Sequence, residues 1–248
     1  MKSIFKITLL AFVTLLITQC KGQTSKSTET VETPETTDTY TYKTGDPNGI
    51  GKWYMGREIA HVMGFQGINW LERDEREEEE NTSKLLTNMN IMPDDTIADI
   101  GAGSGYHVFK MAPMANDGLI YGVDIQDEML VAMTQKKEAG NITNISLIKG
   151  GEKSVNLPEN AISKILMVDV YHEFNYPSEM LSSIKKSLQH NGKIYLIEYR
   201  GEDSSIPIKT IHKMSEAQAV KEFEAAGFKL EENISNLPWQ HCLVFVKA

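Results

Sequence analysis

Ala98-Asp99-Ile100-Gly101-Ala102-Gly103-Ser104-Gly105-Tyr106 joins an apolar strand end to three glycines at alternate positions, with a carboxylate just before them. This order predicts a buried strand, a tight loop and a helix start, the usual entrance to a nucleoside-cofactor pocket. A residue without Cβ lets the backbone turn sharply and lie against a ligand, and the third glycine lets the helix sit close to its strand. Charge then discriminates between ligands. A pyrophosphate at the helix N-terminus would be repelled by Asp99, whereas a cationic ligand would be attracted. The spacing also departs from Gly-x-Gly-x-x-Gly, because Tyr106 holds the last glycine position and the third glycine falls one residue early.

The next apolar run, Leu119-Ile120-Tyr121-Gly122-Val123-Asp124, ends in an acid roughly 20 residues beyond the glycines, where a ribose-binding carboxylate belongs. S-adenosylmethionine, which carries an ammonium and a sulfonium but no phosphate, suits this combination. The first stretch resembles motif I of the class I S-adenosylmethionine-dependent methyltransferases, acid-x-Gly-x-Gly-x-Gly. Later segments follow in the same order: Leu147 to Glu152, Leu157-Pro158, Ile162 to Val170, Tyr171-His172-Glu173-Phe174, and Asn191-Gly192 leading into Lys193 to Arg200. The last of these is similar to the turn and fifth strand of the ubiquinone and menaquinone methyltransferases. The likeness runs from about Asp94 to the C-terminus. It implies S-adenosylmethionine as cofactor, held by Asp99, Gly101, Gly103, Gly105, Asp124, Ile125 and Asp169, with Glu152 as partner for the adenine amino group. Gly150-Gly151-Glu152 replaces the family's frequent Gly-Asp-Ala, and the Asp169 to Phe174 tail differs from that of the quinone enzymes. The substrate therefore does not transfer with the likeness.

Strand and helix patterns alternate from Ile91 onward, which specifies right-handed parallel crossovers and a doubly wound α/β sheet with helices on both faces. A helix from Ser215 to Gly227 and a hairpin formed by Phe228 to Ile234 and His241 to Lys247 would complete a seven-stranded, mostly parallel Rossmann-like sheet. Residues 94–248 are thus the expected catalytic domain, and residues 46–93 a helical N-terminal lid. Within that lid, Arg57 to Met63 is expected to be a helix stopped by Gly64, and Trp70 to Glu80 a second helix. Four successive glutamates suit a solvated helix face paired with Arg73 or Arg76; alternatively one, such as Glu77, lines the substrate mouth.

With 248 residues and 41% hydrophobic composition, the chain can bury one sizeable core. Lys2 and Lys6 flank the start of an apolar run, Ile7 to Thr18, that ends at Cys20 and matches a secretory signal better than a membrane span. Leu16-Ile17-Thr18-Gln19-Cys20 resembles a bacterial lipoprotein cleavage site, which implies a signal peptide over 1–19, lipidation of Cys20 and a membrane-anchored, periplasmic-side location in the cell envelope. An uncleaved anchor or a signal cut elsewhere is the other reading. Residues 20–45, rich in Thr, Ser, Glu and Lys, form a solvated tether. A net charge of −9 argues against nucleic acid as a partner and leaves a small-molecule substrate.

Methyl transfer mainly requires placement, so a catalytic base is optional. His172 is the candidate general base, flanked by Tyr171 and Glu173, and a structural His172–Glu173 pair is the competing reading. Tyr199 and Arg200 are candidate substrate contacts, Arg200 as a clamp for an anion or as part of a loop salt bridge. His212 and Lys213 stand on the substrate side or simply enter a surface helix. No His-x-x-x-His or Cys-x-x-Cys spacing makes a metal site compelling, and none is expected. Two other functions stay open: a cofactor-binding or sensing domain without transfer activity, and a nicotinamide-dependent oxidoreductase.

Overall fold

The computed structural model describes residues 39–248. The expected signal peptide, Cys20 and residues 20–38 of the expected tether lie outside the described residues. No helix among them is long and apolar enough to cross a membrane.

The first described elements are strands. β1 (Tyr40–Tyr42), β2 (Gly49–Tyr54) and β3 (Arg57–Ala60) form an antiparallel sheet in that order. This corrects the expectation of a wholly helical lid over 46–93 and, because β1 lies within it, of a tether running unbroken to residue 45. β2 and β3 are joined by Met55 and Gly56, both at positive φ (49° and 99°), which is the twist a two-residue hairpin turn demands. Glu58 on β3 accepts from the backbone N–H groups of Asp46 (2.7 Å) and Gly51 (3.1 Å), fixing the returning chain against the strand. Helix follows only after Gly64: α1 (Ile68–Leu71), α2 (Arg76–Glu80) and α3 (Thr82–Met89). Asn81, at φ 54°, ends α2 and caps α3 by accepting from Lys84 N at 3.0 Å.

The main sheet contains β4 (Thr96–Ile100), β5 (Leu119–Asp124), β6 (Ile145–Lys149), β7 (Ile162–Val168), β8 (Leu188–Tyr199), β9 (Phe228–Asn233) and β10 (Gln240–Lys247). Their order is β6-β5-β4-β7-β8-β10-β9, with β10 antiparallel to both of its neighbours and the remaining pairs parallel. This is the expected doubly wound sheet closed by a terminal hairpin. Between β7 and β8 the pairing jumps from Ile162–Leu188 to Lys164–Lys193, so Asn191-Gly192 lies in a bulge inside β8 rather than in a turn before it.

Central strands buried on both faces are nearly continuous in apolar residues. Ile165, Met167, Ile194 and Leu196 pack with Met180, Leu181 and Ile184 of α6 (Pro177–Ser187) and Phe223 of α7 (Glu216–Ala225). Ile97, Ile120, Leu166 and Ile197 face the other way. They meet Leu85 and Met89 of α3, Val108 and Met111 of α4 (Tyr106–Met111), and Met133 of α5 (Asp127–Ala139). The sheet order reverses between β4 and β7, so the loops leaving those two strands open a crevice at their carboxyl ends.

Candidate active site

A cavity of about 640 Å³ occupies this crevice. Its floor begins with the glycine loop, where Gly101, Gly103 and Gly105 adopt φ of 75°, 55° and 79°. Added Cβ atoms would lie 2.3 Å from Val170 at Gly101 and 2.5 Å from Leu71 at Gly103. Gly105 has another task. It caps α4 with its bare Cα close to Phe109 and Met133, behind the cavity wall, so it serves helix packing instead of ligand contact.

Asp124 lines the cavity at the end of β5. Its Oδ2 accepts from Gly103 N and its Oδ1 from Gln126 N, each at 2.8 Å, which fixes the carboxylate while leaving further lone pairs for a ligand. Ile125, half-exposed, and Glu152, which accepts from Asn175 Nδ2 at 3.1 Å, lie on the same wall. Asp99 sits beneath the glycine loop and does not line the cavity, whereas Asp169 does. Among the described residues, Asp99 Oδ2 and Asp169 Oδ1 are buried carboxylate oxygens without a hydrogen-bond partner. Burial pushes the Asp99 carboxyl up to about 7, with Arg76 opposing and Asp124 adding to the rise. Burial likewise holds Asp169 well above the usual carboxylate range, reinforced by Glu80 and Glu198.

The roof comes from residues 61–76, which sequence patterning misassigned in part. Gln126 fastens it to the end of β5 by donating to Met63 O (3.0 Å) and accepting from Phe65 N (2.8 Å). Of the four glutamates, Glu80 is the one buried in the cavity wall; Glu77 instead accepts from Ser83 N at the start of α3. Glu80 receives Arg76 Nε at 2.6 Å, Arg73 Nη2 at 2.5 Å and Tyr199 Oη at 2.9 Å. Tyr199 is therefore on the cavity wall, as expected, with its hydroxyl already engaged.

Three candidates point elsewhere. Tyr171 is fully buried against Phe174 and Phe223 and donates to Glu222 Oε2 at 2.7 Å, so it is core and not a catalytic group. Arg57 completes that buried network with a two-pronged contact to Glu222 at 2.8 and 3.0 Å. The Arg200 guanidinium is engaged by the carbonyls of Leu237, Gln240 and Pro238, which makes it a staple of the β9–β10 connection and not an anion clamp. Lys213 is spent similarly on Ile206 O and Asp203 O.

His172 and Glu173 do reach the cavity, and His212 joins them from the segment after β8. His172 Nδ1 lies 2.6 Å from Glu198 Oε2 and its Nε2 lies 3.1 Å from His212 Nδ1. Both ring nitrogens are thus occupied, so His172 does not stand free as a solitary base. Burial opposes its charge, yet the adjacent Glu198 keeps it above the ordinary histidine range, while burial and the neighbouring His172 depress His212 to about 4. Both Glu173 oxygens accept from Met63 N at 3.2 Å, and burial pushes its carboxyl up to about 7. Sequence reasoning expected Arg73 or Arg76 to pair with the glutamate run but did not single out Glu80, and it missed Gln126. The spacing of Arg76 and Glu80, one helical turn apart, was the available signal for that choice.

Residues 91–241 match the family profile described as "Methyltransferase domain". The chain belongs to that family. Its sheet order and glycine loop make it a class I, S-adenosylmethionine-dependent methyltransferase. It is 28% identical over 145 residues to the uncharacterized methyltransferase YdaC of Bacillus subtilis (strain 168), covering 58% of this chain and 77% of that protein. A ubiquinone/menaquinone biosynthesis C-methyltransferase, UbiE of Wigglesworthia glossinidia brevipalpis, is 27% identical over 43% of this chain and 44% of its own length. A tRNA U34 carboxymethyltransferase of Pseudoalteromonas translucida (strain TAC 125) is 25% identical over 51% of this chain and 39% of its own. In fold, the crystal structure of a SAM-dependent methyltransferase from Aquifex aeolicus superposes with a TM-score of 0.71, covering 75% of this chain and all of that one at 21% identity.

The residues present fit the cofactor. Gly101 and Gly103 let the backbone turn along the cavity without a Cβ that would collide with Val170 and Leu71, Asp124 offers a fixed acceptor for ribose hydroxyls, and Asp169 on the cavity wall keeps an unpartnered oxygen whose ionised form a cationic ligand would favour.

Proposed function

We propose that this methyltransferase acts on a small molecule bound within the roofed cavity, and that it works tethered to the cell envelope by a lipid on Cys20. One observation carries the substrate reading: one continuous cavity joins the glycine loop and Asp124 to His172, Glu173 and His212, beneath the roof of residues 61–76. S-adenosylmethionine supplies a methyl carbon already activated by a sulfonium. The chain's own residues do the rest. Asp124 orients the nucleoside end, Asp169 faces the positive charge with Asp99 behind the loop adding to the field, and the roof covers part of the site. Placement of this kind can contribute about 7–11 kcal/mol to lowering a barrier. The acidic balance, −9 overall, disfavours a polynucleotide substrate of the kind named for the tRNA-modifying relative. Arg73 and Arg76, cations on the wall, are already paired with Glu80. The anchoring reading rests on Lys2, Lys6, the apolar run and Cys20.

The test is product formation. The full chain, supplied with S-adenosylmethionine, should form S-adenosylhomocysteine with members of a panel of small hydroxyl, thiol and carboxylate acceptors and none with bulk tRNA. Turnover confined to tRNA would overturn the small-molecule reading. Cofactor binding without turnover on either would favour a sensing domain. Labelled fatty acid incorporated by the bacterial host and lost in Cys20→Ala tests the anchor separately.

A further inference from the structure

The cluster at the β7 and β8 side of the cavity is more than a histidine pair. His172 Nε2, His212 Nδ1 and Glu173 Oε1 form a triangle with sides of 3.1, 3.8 and 3.9 Å. A point in the plane of that triangle lies about 2.1 Å from all three atoms, which is the ordinary length of a bond from zinc to imidazole nitrogen or carboxylate oxygen. Two imidazole nitrogens and one carboxylate oxygen are the donor set of catalytic zinc and non-haem iron sites, in which the remaining positions stay open for water or substrate.

The surroundings support these ligands from behind. Glu198, fully buried, engages the far nitrogen of His172 at 2.6 Å and also accepts from His172 N, the carboxylate–histidine arrangement that orients metal-bound imidazoles. Glu173 is fixed by Met63 N, and the His172 and His212 rings stand 79° apart, converging from different elements. Charge points the same way. Glu173 and Glu198 are buried around this point, and the Arg57 guanidinium donates to His172 O while its fork is taken by Glu222. A cation would offset the desolvated carboxylates.

We propose that His172, Glu173 and His212 bind one divalent transition-metal ion of the zinc type, with its open positions facing the cavity. Resting on the methyltransferase reading above, the ion's role is to bind the acceptor through a hydroxyl, thiol or carboxylate and hold it in the shared cavity. The class of acceptor is accordingly a metal-ligating one, not a plain hydrocarbon carbon.

The full chain, stripped with a chelator, is titrated with Co²⁺ and then with Zn²⁺, with S-adenosylhomocysteine binding measured by calorimetry on the same samples. The expected result is one equivalent of Co²⁺ with visible ligand-field absorption that Zn²⁺ displaces. Glu173→Gln and His212→Asn should each abolish that absorption, and Glu198→Gln should weaken the affinity by about 10–100-fold. Cofactor binding should persist in all three, which shows that they are folded and separates this proposal from the cofactor assignment. Two results overturn it: no stoichiometric Co²⁺ on a chain that still binds the cofactor, or an absorption band unchanged in both Glu173→Gln and His212→Asn.

Discussion

The two halves of the cavity are built on different plans. On the β4–β5 side the backbone does the shaping: three glycines at positive φ, an Asp124 carboxylate held by backbone N–H groups, and the buried Asp99 carboxylate with one oxygen left without a partner. On the β7–β8 side, side chains from distant segments saturate one another, as in Arg57–Glu222–Tyr171 and Glu198–His172–His212. The first half is shaped around a ligand, whereas the Arg57–Glu222–Tyr171 network of the second is complete as it stands. Substitutions in that network should therefore cost stability, and those on the β4–β5 side should cost cofactor affinity.

The largest effect is expected at Glu222. Its removal in Glu222→Ala strands Arg57 and the Tyr171 hydroxyl in the interior. Breaking a buried pair from one side typically costs about 3–5 kcal/mol, and urea unfolding should register a loss of that size. A loss below about 1 kcal/mol, within the range of an exposed ion pair, would show that the network is not what holds the N-terminal sheet to α7.

Asp124→Ala probes the opposite half. Two hydrogen bonds from ribose hydroxyls to a charged acceptor should be worth about 3 kcal/mol together, so calorimetry should show cofactor affinity falling roughly 100-fold. Unchanged affinity would remove Asp124 from the cofactor site. A smaller effect belongs to Gly103→Ala, which forces a Cβ into the left-handed region at φ 55° and against Leu71. The conformational part costs about 1–2 kcal/mol. Because Leu71 belongs to the roof, the loss should appear in cofactor affinity as well as in melting temperature, and a change in melting temperature alone would mean that the loop does not meet the ligand.

The same contrast explains what could be seen in the sequence. The glycine loop, Asp124 and the alternating strands were legible because local backbone requirements select their residue types directly. β2 and β3 were not. Met55-Gly56 lacks the Asn or Asp that usually marks a tight hairpin, and Ile59, Val62 and Met63 are spaced as a helix face would be. What makes that segment a strand is nonlocal, namely Glu58 receiving Asp46 and Gly51 and Arg57 reaching Glu222. Glu77 and Glu80 were equivalent in a run of four until Arg73, Arg76 and Tyr199 converged on Glu80. His212 stands 40 residues from His172, a separation that belongs to no metal-binding spacing, and only the parallel packing of β7 beside β8 brings their following segments together. Arg200 looked available because its carbonyl partners lie 37 to 40 residues further along the chain.

The mildest test uses pH to ask whether the carboxyls at the ends of β4 and β7, Asp99 and Asp169, await a cation. Burial raises the Asp99 carboxyl from its ordinary 3.8 to about 7, and Asp169 also stands high. A raised carboxyl is protonated more readily in the folded chain than in the unfolded one, so the ligand-free protein loses this contribution to stability as pH climbs from about 4 to 7. A cationic ligand reverses the balance by favouring the ionised form. Cofactor binding should then release protons, and affinity should weaken as pH falls from 7.5 to 6, by at most about tenfold per unit for each carboxyl involved. Arg76, which opposes the rise at Asp99, and Asp124, which adds to it, are shared by the free and bound states and do not change the sign. Asp99→Asn should flatten the profile in part while preserving the fold, since Asn fills the same space without a charge to desolvate. Affinity independent of pH in the wild-type chain would mean that these carboxyls do not sense the ligand's charge, and the two halves of the cavity would then differ in shape but not in electrostatic readiness.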